Sequence, residues 1–314
     1  MVKGEKIKWI EGTPLGFLIR EIQYIAPHMH SEYIELTMCI TGEIRFSYCF
    51  EEFTLREGEF LLVDKDIHYA YDGKDALCAS FFIDPVYFTE KYPFIKSLIL
   101  VCEGTNDSIN PHDTYNHRCL KSIMLALLLF IADNKEVDEN YKKIVNNATS
   151  KMVDLLVNKF DIMFWYNHEL EISDKLFARY HLMVDYMYRH CDESISVGTI
   201  ASRFGLSNAY VTELFRKYTL GFSKMLAYVR ISHAEELLIS TDMRLIEISE
   251  ACHFSDPKYF YATFKYWYKC TPNQLRRTYL KKMQSENKVA YFDVADILTP
   301  LNSLIRHHLK DMFL

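Results

Sequence analysis

The chain has 314 residues, 49% of them apolar, and a formal net charge of −6, which is ample for two or three domains with packed cores. No apolar run approaches the length of a membrane span, and Met1–Gly4 does not begin a signal peptide, so we expect no membrane partner. The eight cysteines form no CxxC pair, which favours reduced thiols and a cytoplasmic protein.

Residues 1–84 are predicted to form short strands separated by turns. Gly42, Gly58 and Asp72-Gly73 are among the turn residues between them. Many short strands at this spacing predict a small barrel or sandwich. The segments rich in β-branched and aromatic residues are Leu15–Tyr24, Tyr33–Ile40, Ile44–Phe50, Glu59–Val63 and Ala76–Ile83.

Four residues in this region can bind a metal ion or a polar ligand, namely His28, His30, Glu35 and His68. With Gly42 and Gly58, they resemble the two motifs of the cupin barrel, although Asp64 stands where the second motif usually has proline. The resemblance implies a cupin-like, effector-sensing barrel over residues 1–84.

Two kinds of ligand remain open for this set of four. Imidazole and carboxylate groups suit zinc, manganese, iron or nickel. The same groups can hydrogen-bond the hydroxyls of a small sugar-like effector, with Phe46, Tyr48 and Tyr71 stacking beside it. We expect the second arrangement, with no metal and no cofactor. The strand register, which decides which side chains face inward, is not fixed by the sequence.

Residues 85–178 are predicted to form a helical connector. Leu120–Ile131 is almost continuously apolar, which indicates a buried helix under the barrel or between two protomers. Val145–Phe164 predicts a second helix. Glu103–His112 is predicted to be an exposed loop, and Asp133–Asn140 a charged connector. Intramolecular packing and a homodimer interface remain alternatives for the two helices.

One short pattern occurs twice between Ser194 and Arg277. The copies, Thr199–Lys217 and Glu247–Lys265, keep step at an offset of 48 to 49 residues, with one extra residue in the second turn. Each predicts a helix, a tight turn and a second helix. In the first copy Gly205 can adopt a positive φ in the turn, and Ser207 can cap the helix that follows.

The residues of this duplicated unit resemble the double helix-turn-helix domain of AraC-type transcription regulators, over residues 179–282. A helix over about Phe222–Ser240 joins the copies, and this arrangement makes the resemblance specific. The residues that carry it are Ala201, Gly205-Leu206-Ser207, Phe215-Arg216-Lys217, Arg230, Ala234, Phe254-Ser255-Asp256, Tyr259-Phe260, Phe264-Lys265 and Thr271-Pro272.

The sequence departs from that family at four positions. Ser249 replaces a usual alanine, and His253 and Lys269 replace usual glycines. Gly221 is one place away from the family's glycine. Because histidine can occupy a left-handed turn at some energetic cost, these departures bear on the geometry of the second copy.

The charge distribution and the exposed helix faces indicate binding to double-stranded DNA. Residues 179–282 hold 15 Lys and Arg against 10 Asp and Glu, whereas the rest of the chain is acidic. A helix presented by such a unit fits the major groove. The candidates for base contacts are Asn208, Ala209, Thr212 and Glu213 in the first copy and Pro257, Lys258, Tyr261 and Ala262 in the second. The candidates for phosphate or groove-edge contacts are Arg216, Lys217 and Lys265.

Residues 283–314 are an addition to what the AraC-type resemblance implies, and are predicted to form a helical tail interrupted at Pro300. Their apolar residues, at helical spacing, are Val294, Ile297, Leu298, Leu301, Leu304, Ile305 and Leu309. Such a stripe needs a partner. Packing on the protein's own body and an intermolecular contact both remain open.

The expected fold is α+β, with an N-terminal cupin-like barrel, a helical connector and a C-terminal all-α double helix-turn-helix domain. The resemblances imply a ligand-responsive transcription regulator and not an enzyme: a homodimer that binds DNA and a small effector, with RNA polymerase as a further contact. The alternative is a cupin metalloenzyme fused to a DNA-binding module. The sequence contains no GxGxxG, Walker, GxSxG or HExxH motif, and no cysteine in the setting of a DNA-repair methyltransferase.

Overall fold

A computed structural model describes residues 6–30, 32–48, 51–63, 68–100, 114–134, 136–163 and 172–312. The chain forms two compact units. The sheet unit comprises Met1–Tyr87, Leu100–Phe160 and Ser285–Leu314, and the helical unit comprises Phe88–Ile99 and Asp161–Gln284. The chain therefore begins and ends in the same unit, whereas the sequence suggested four consecutive segments.

An antiparallel sheet of seven described strands forms the body of the sheet unit. The strands are β1 (Lys8–Trp9), β2 (Leu15–His28), β3 (Ile34–Tyr48), β4 (Glu51–Arg56), β5 (Phe60–Val63), β6 (His68–Ile83) and β7 (Lys288–Phe292). Their order is β1-β2-β6-β3-β4, with β7 also paired to β2 and β5 also paired to β3. In the described part of the chain this pairing is not closed on itself, so the predicted barrel is not confirmed.

Strands β3 and β6 are longer than predicted, because two expected turns are irregularities within these strands. β3 continues through Gly42, which has a φ of 77°, and its register with β6 shifts there. A Cβ at Gly42 would collide with the carbonyl oxygens of Lys74 and Asp75. β6 likewise continues through Asp72-Gly73. Bulges of this kind bend a strand without ending it.

The described part of the chain contains ten α-helices. They are α1 (Thr114–Asp133), α2 (Glu139–Lys159), α3 (Asp174–Arg189), α4 (Val197–Phe204), α5 (Asn208–Tyr218), α6 (Phe222–Ser240), α7 (Leu245–Ala251), α8 (Pro257–Tyr268), α9 (Pro272–Met283) and α10 (Leu298–Met312). Helices α1, α2 and α10 belong to the sheet unit, and α3 to α9 to the helical unit. The predicted loop Glu103–His112 lies outside the described residues, as does Phe164, the predicted end of the second helix.

Helix α1 extends beyond the predicted Leu120–Ile131 at both ends. Its segment Tyr115–Asp133 is long and apolar enough to cross a membrane by length and composition, contrary to the expectation from the sequence. A core helix can meet the same criterion. Leu120, Met124 and Leu128 of α1 are fully buried, and the helix packs against α2 and α10.

The C-terminal segment packs on the sheet unit. β7 pairs with β2, Leu301 and Leu304 of α10 are buried, and α10 contacts α1 and β3. On α10, His308 Nε2 lies 2.8 Å from Ser122 Oγ of α1. Pro300 does not interrupt the helix, because it lies in the first turn, where a missing N–H breaks no intrahelical bond. Most of the predicted apolar stripe is therefore packed within the chain, whereas Leu309 is exposed.

Helix α6 forms the centre of the helical unit and contacts α3, α5, α7, α8 and α9. Its Arg230 donates hydrogen bonds to the carbonyl oxygens of Cys191 (3.2 Å) and Glu193 (2.8 Å), which fixes the loop after α3. From α9, Arg276 donates to the carbonyl oxygens of Leu238 and Met243 at 2.8 and 2.7 Å. Both guanidinium groups therefore join α6 to neighbouring segments.

Candidate nucleic-acid interface and ligand site

The first helix-turn-helix is formed by α4 and α5. Gly205 ends α4 in the left-handed conformation, with φ 63° and ψ 39°. The amide of Leu206 donates to the Ala201 carbonyl at 2.8 Å, which satisfies a carbonyl at the end of α4. Ser207 Oγ then accepts from the Tyr210 amide at 3.2 Å and caps α5.

The second helix-turn-helix, formed by α7 and α8, repeats this geometry. His253 takes the left-handed position with φ 53°, and the Phe254 amide donates to the Ser249 carbonyl at 2.9 Å. The cap is Asp256, whose Oδ1 accepts from the Lys258 amide at 2.8 Å, with Pro257 as the first helical residue. The sequence repeat is therefore a structural repeat, and histidine adopts the backbone conformation of the missing glycine.

Both second helices bury one face and expose the other. In α5, Val211, Leu214 and Phe215 are buried, and in α8 Phe260 and Phe264 are buried. All predicted DNA-contacting residues are exposed: Asn208, Ala209, Thr212, Glu213, Arg216 and Lys217 on α5, and Pro257, Lys258, Tyr261, Ala262 and Lys265 on α8. The folding of each helix thus leaves these side chains available to a ligand.

The charges on α5 interact within the helix. Arg216 donates two hydrogen bonds to Glu213, at 2.8 and 2.6 Å, and this partner holds the pKa of the Glu213 carboxyl below its usual range. This pairing was not predicted, although the i, i+3 spacing of the two residues signals such a contact. Arg179 of α3, which was not predicted as a contact residue, donates to the Tyr210 hydroxyl at 3.0 Å.

The sheet unit brings His28, His30, Glu35 and His68 together. One ligand atom from each lies within 4.8 Å of all the others. Glu35 Oε2 is 3.2 Å from His30 Nε2 and 3.5 Å from His68 Nε2. The cluster forms because His28 ends β2, Glu35 is near the start of β3, and His68 begins β6 opposite His28.

Glu35 is held by polar residues that the sequence analysis did not single out. Its Oε1 accepts hydrogen bonds from Arg20 Nη2 at 3.1 Å and from Thr37 Oγ1 at 2.7 Å. Ser80 Oγ lies 2.6 Å from Thr37 Oγ1 and accepts from Arg20 Nη2 at 3.3 Å. The signal in the sequence was an arginine within a strand of apolar residues, since a buried charge needs a partner.

Burial alone would raise the pKa of Glu35, but hydrogen bonds from His30 and His68 and the charges of these imidazoles outweigh it and hold that pKa well below its usual range. His28 Nδ1 lies 2.9 Å from the Ala26 carbonyl oxygen. Since a carbonyl only accepts, Nδ1 carries the proton in this bond, which leaves Nε2 as an acceptor whenever the ring is neutral. The cluster therefore combines a carboxylate of lowered pKa with an imidazole that accepts in its neutral form.

This donor set suits a divalent transition metal as well as a polar organic ligand. Around an ion with bonds of about 2.1 Å, neighbouring ligand atoms lie roughly 3.0 to 3.4 Å apart. The distances from Glu35 Oε2 to His30 and His68, 3.2 and 3.5 Å, are close to that spacing. A histidine that donates its other ring nitrogen to a carbonyl is also typical of metal ligands.

Of the three aromatic residues predicted beside the effector, the structure describes the surroundings of two, Phe46 and Tyr71. Phe46 belongs to the buried apolar core, with Ile22 and Ile44. Tyr71 is half-buried beside Tyr69, and burial, followed by the nearby Glu52 carboxylate, raises its pKa to about 12. The backbone of Tyr48 pairs with His68, but its side chain lies outside the described residues.

Comparison with known proteins identifies the helical repeat. Residues 200–278 match the family model described as a helix-turn-helix domain. The uncharacterized HTH-type transcriptional regulator YijO of Escherichia coli is 28% identical over 112 residues, a match that covers 35% of this chain and 40% of that protein. This chain thus spans less than half of that relative.

A longer match is to the lactose operon transcription activator of Staphylococcus xylosus, 21% identical over 75% of this chain and 80% of the activator. Among solved structures, fatty-acid-bound ToxT from Vibrio cholerae is similar, with 11% identity, 88% of this chain and 97% of that chain covered, and a TM-score of 0.41. Because residues 200–278 match that family model, the chain contains a helix-turn-helix DNA-binding domain. YijO and the lactose operon activator are both named as regulators of transcription.

Proposed function

We propose that this protein is a ligand-responsive transcription regulator of the AraC type that binds specific DNA sequences. The observation that carries the proposal is the duplicated helix-turn-helix, in which two turns with the same backbone hydrogen bond each present an exposed helix. The matched domain and the regulator relatives support it.

Helices α5 and α8 enter successive major grooves on one face of the DNA, about one helical turn apart. Asn208, Thr212 and Lys258 are exposed on these helices and contact base edges. Lys217 and Lys265 contact phosphates. Because Glu213 already engages Arg216, that guanidinium is oriented along the helix before DNA arrives.

The sheet unit acts as the sensor, a cupin-like domain in which His28, His30, Glu35 and His68 bind a small effector. Their clustering around one point supports a ligand site. The similarity to a lactose operon activator over 75% of the chain favours a sugar-like effector. The protein acts as a cytoplasmic homodimer, with RNA polymerase as a further contact, and the effector changes how the helical units are presented to DNA.

A gel-shift titration of the full-length protein on the region upstream of its own gene tests the DNA-binding function. We expect binding that weakens steeply as salt is raised, because phosphate contacts release counterions. Unrelated DNA of the same length should bind more weakly. Absence of binding at low salt to this region and to neighbouring promoters would contradict the proposal.

A metalloenzyme fused to the DNA-binding domain is the second candidate function. Four ligand atoms within 4.8 Å of one another favour it, since three imidazoles and a carboxylate bind transition-metal ions tightly. If an ion were bound, these four residues would hold it and it would act as a Lewis acid. Metal analysis of the purified protein separates the two candidates.

A further inference from the structure

A chain of two hydrogen bonds joins the candidate ligand site to the C-terminal segment. On one side of Ala26, the carbonyl oxygen accepts from His28 Nδ1 at 2.9 Å. On the other side, the amide of Ala26 donates to Asn287 Oδ1 at 2.8 Å. The backbone of one residue therefore contacts both a histidine of the cluster and a side chain 261 positions away in the sequence.

Asn287 is fixed to β2 by the segment that follows it. β7 pairs with β2 from Tyr24↔Lys288 to Ile19↔Phe292, and Val289 packs against the core that contains Ile22 and Ile25. The pairing includes Arg20, opposite Tyr291, and Arg20 donates to Glu35 of the cluster. Two cluster residues, His28 and Glu35, therefore hydrogen-bond to residues of β2, the strand that β7 and Asn287 contact.

Asn287 also lies close in sequence to the DNA-binding domain. The helical unit ends at Gln284, directly after α9, whose last turn carries Lys281 and Lys282. Asn287 follows Gln284 by three positions in the sequence, a span of at most about 10 Å of extended chain. The covalent connection from Asn287 to the end of α9 is therefore short.

We propose that Asn287 is a positioning residue that couples the state of the His28 cluster to DNA binding. The proposal rests on the regulator function and names the route by which the same site acts. A ligand bound at the cluster contacts His28 and changes its hydrogen bond to Ala26. This change displaces Ala26, Asn287 and the connection to α9. Coupling is reciprocal, so DNA bound to the helical unit must act back on Ala26.

Hydrogen exchange of the full-length protein, with and without DNA from upstream of its own gene, tests this without a known effector. In the wild type, DNA should change exchange at the Ala26 amide by about 5-fold or more, the lower range of allosteric coupling. Asn287→Asp retains an acceptor oxygen and should keep this response. Asn287→Ala and Asn287→Gln remove or displace the acceptor and should lose the response while still binding DNA.

Asn302→Ala, on the exposed face of α10, is the matched control and should respond like the wild type. Circular dichroism confirms that each variant is folded. An unchanged Ala26 amide in DNA-bound wild type, or a full response in Asn287→Ala, would overturn the coupling while leaving the regulator function intact. Failure of the wild type to bind DNA would instead overturn the regulator function and the coupling with it.

Discussion

His253 and Gly205 occupy equivalent positions in two copies of one turn, with φ values of 53° and 63°. A side chain in this left-handed region costs about 1 kcal/mol or more, because Cβ approaches the following carbonyl oxygen. The position of the departure from the family pattern could be read from the sequence. The sequence could not show whether the turn would keep its shape, because that depends on the packing of α7 and α8.

Replacing His253 with glycine should raise the free energy of unfolding of the protein by about 0.5 to 1 kcal/mol, since the strain of the left-handed backbone is removed. Gly205→Ala should lower it by about 1 kcal/mol: nothing lies within 4 Å of an added Cβ, so the cost is conformational. Urea unfolding followed by circular dichroism of the helices measures both. Destabilisation by His253→Gly would contradict the prediction that the backbone is strained at His253.

Ser249 occupies the position that Ala201 has in the first copy. It is 1% exposed, and its hydroxyl lacks a hydrogen-bond partner among the described residues. Ser249→Ala should therefore stabilise the protein by about 1 to 2 kcal/mol, because an unsatisfied buried hydroxyl is removed. Ser202→Ala, an exposed position in α4, is the matched control and reports helix propensity alone. Equal gains for the two variants in urea unfolding would count against this account.

At the scale of elements, helices followed from the sequence better than strands. The predicted Phe222–Ser240 and α6 have the same bounds, because helical periodicity and the flanking residues Gly221 and Thr241 are local signals. β3 was predicted as two strands, since a glycine at a bulge and a glycine at a turn look alike in sequence. β7 was not predicted, because a pattern of five residues is too short to identify a strand without its pairing to β2.

The two recognition helices should differ in what their lysines contribute. Lys258→Ala in α8 should cost about 1 to 3 kcal/mol on the specific site and relax preference at one base pair, if Lys258 contacts a guanine. Lys217→Ala at the end of α5 should weaken binding to all sequences about equally and reduce the salt slope by about 1. Titrations on specific and mutated sites measure both. The same uniform loss for both variants would refute base contact by Lys258.

At the scale of the whole molecule, the chain passes from the sheet unit to the helical unit and back twice, at Phe88–Ile99 and at Asp161–Gln284. Spacing within one segment was enough to select His28, His30, Glu35 and His68. The polar residues around the cluster, Arg20, Thr37 and Ser80, and Asn287 beside Ala26, became apparent only from strand register and long-range pairing. The sequence therefore selected four residues that the fold brings together, and the fold alone showed which polar groups contact them.

Whether the four clustered residues bind an organic effector or a metal ion decides whether the sheet unit is a sensor or an enzyme. For a sensor of an organic effector, elemental analysis of purified protein should find far less than one transition-metal ion per chain. A sugar from a panel should then shift the operator affinity of the full-length protein. His30→Ala and Glu35→Ala should abolish that shift but retain DNA binding, because coupling requires unequal affinity of the effector for two states. His307→Ala, an exposed histidine of α10, should behave like the wild type. Stoichiometric metal together with turnover of a small substrate would establish the enzyme instead.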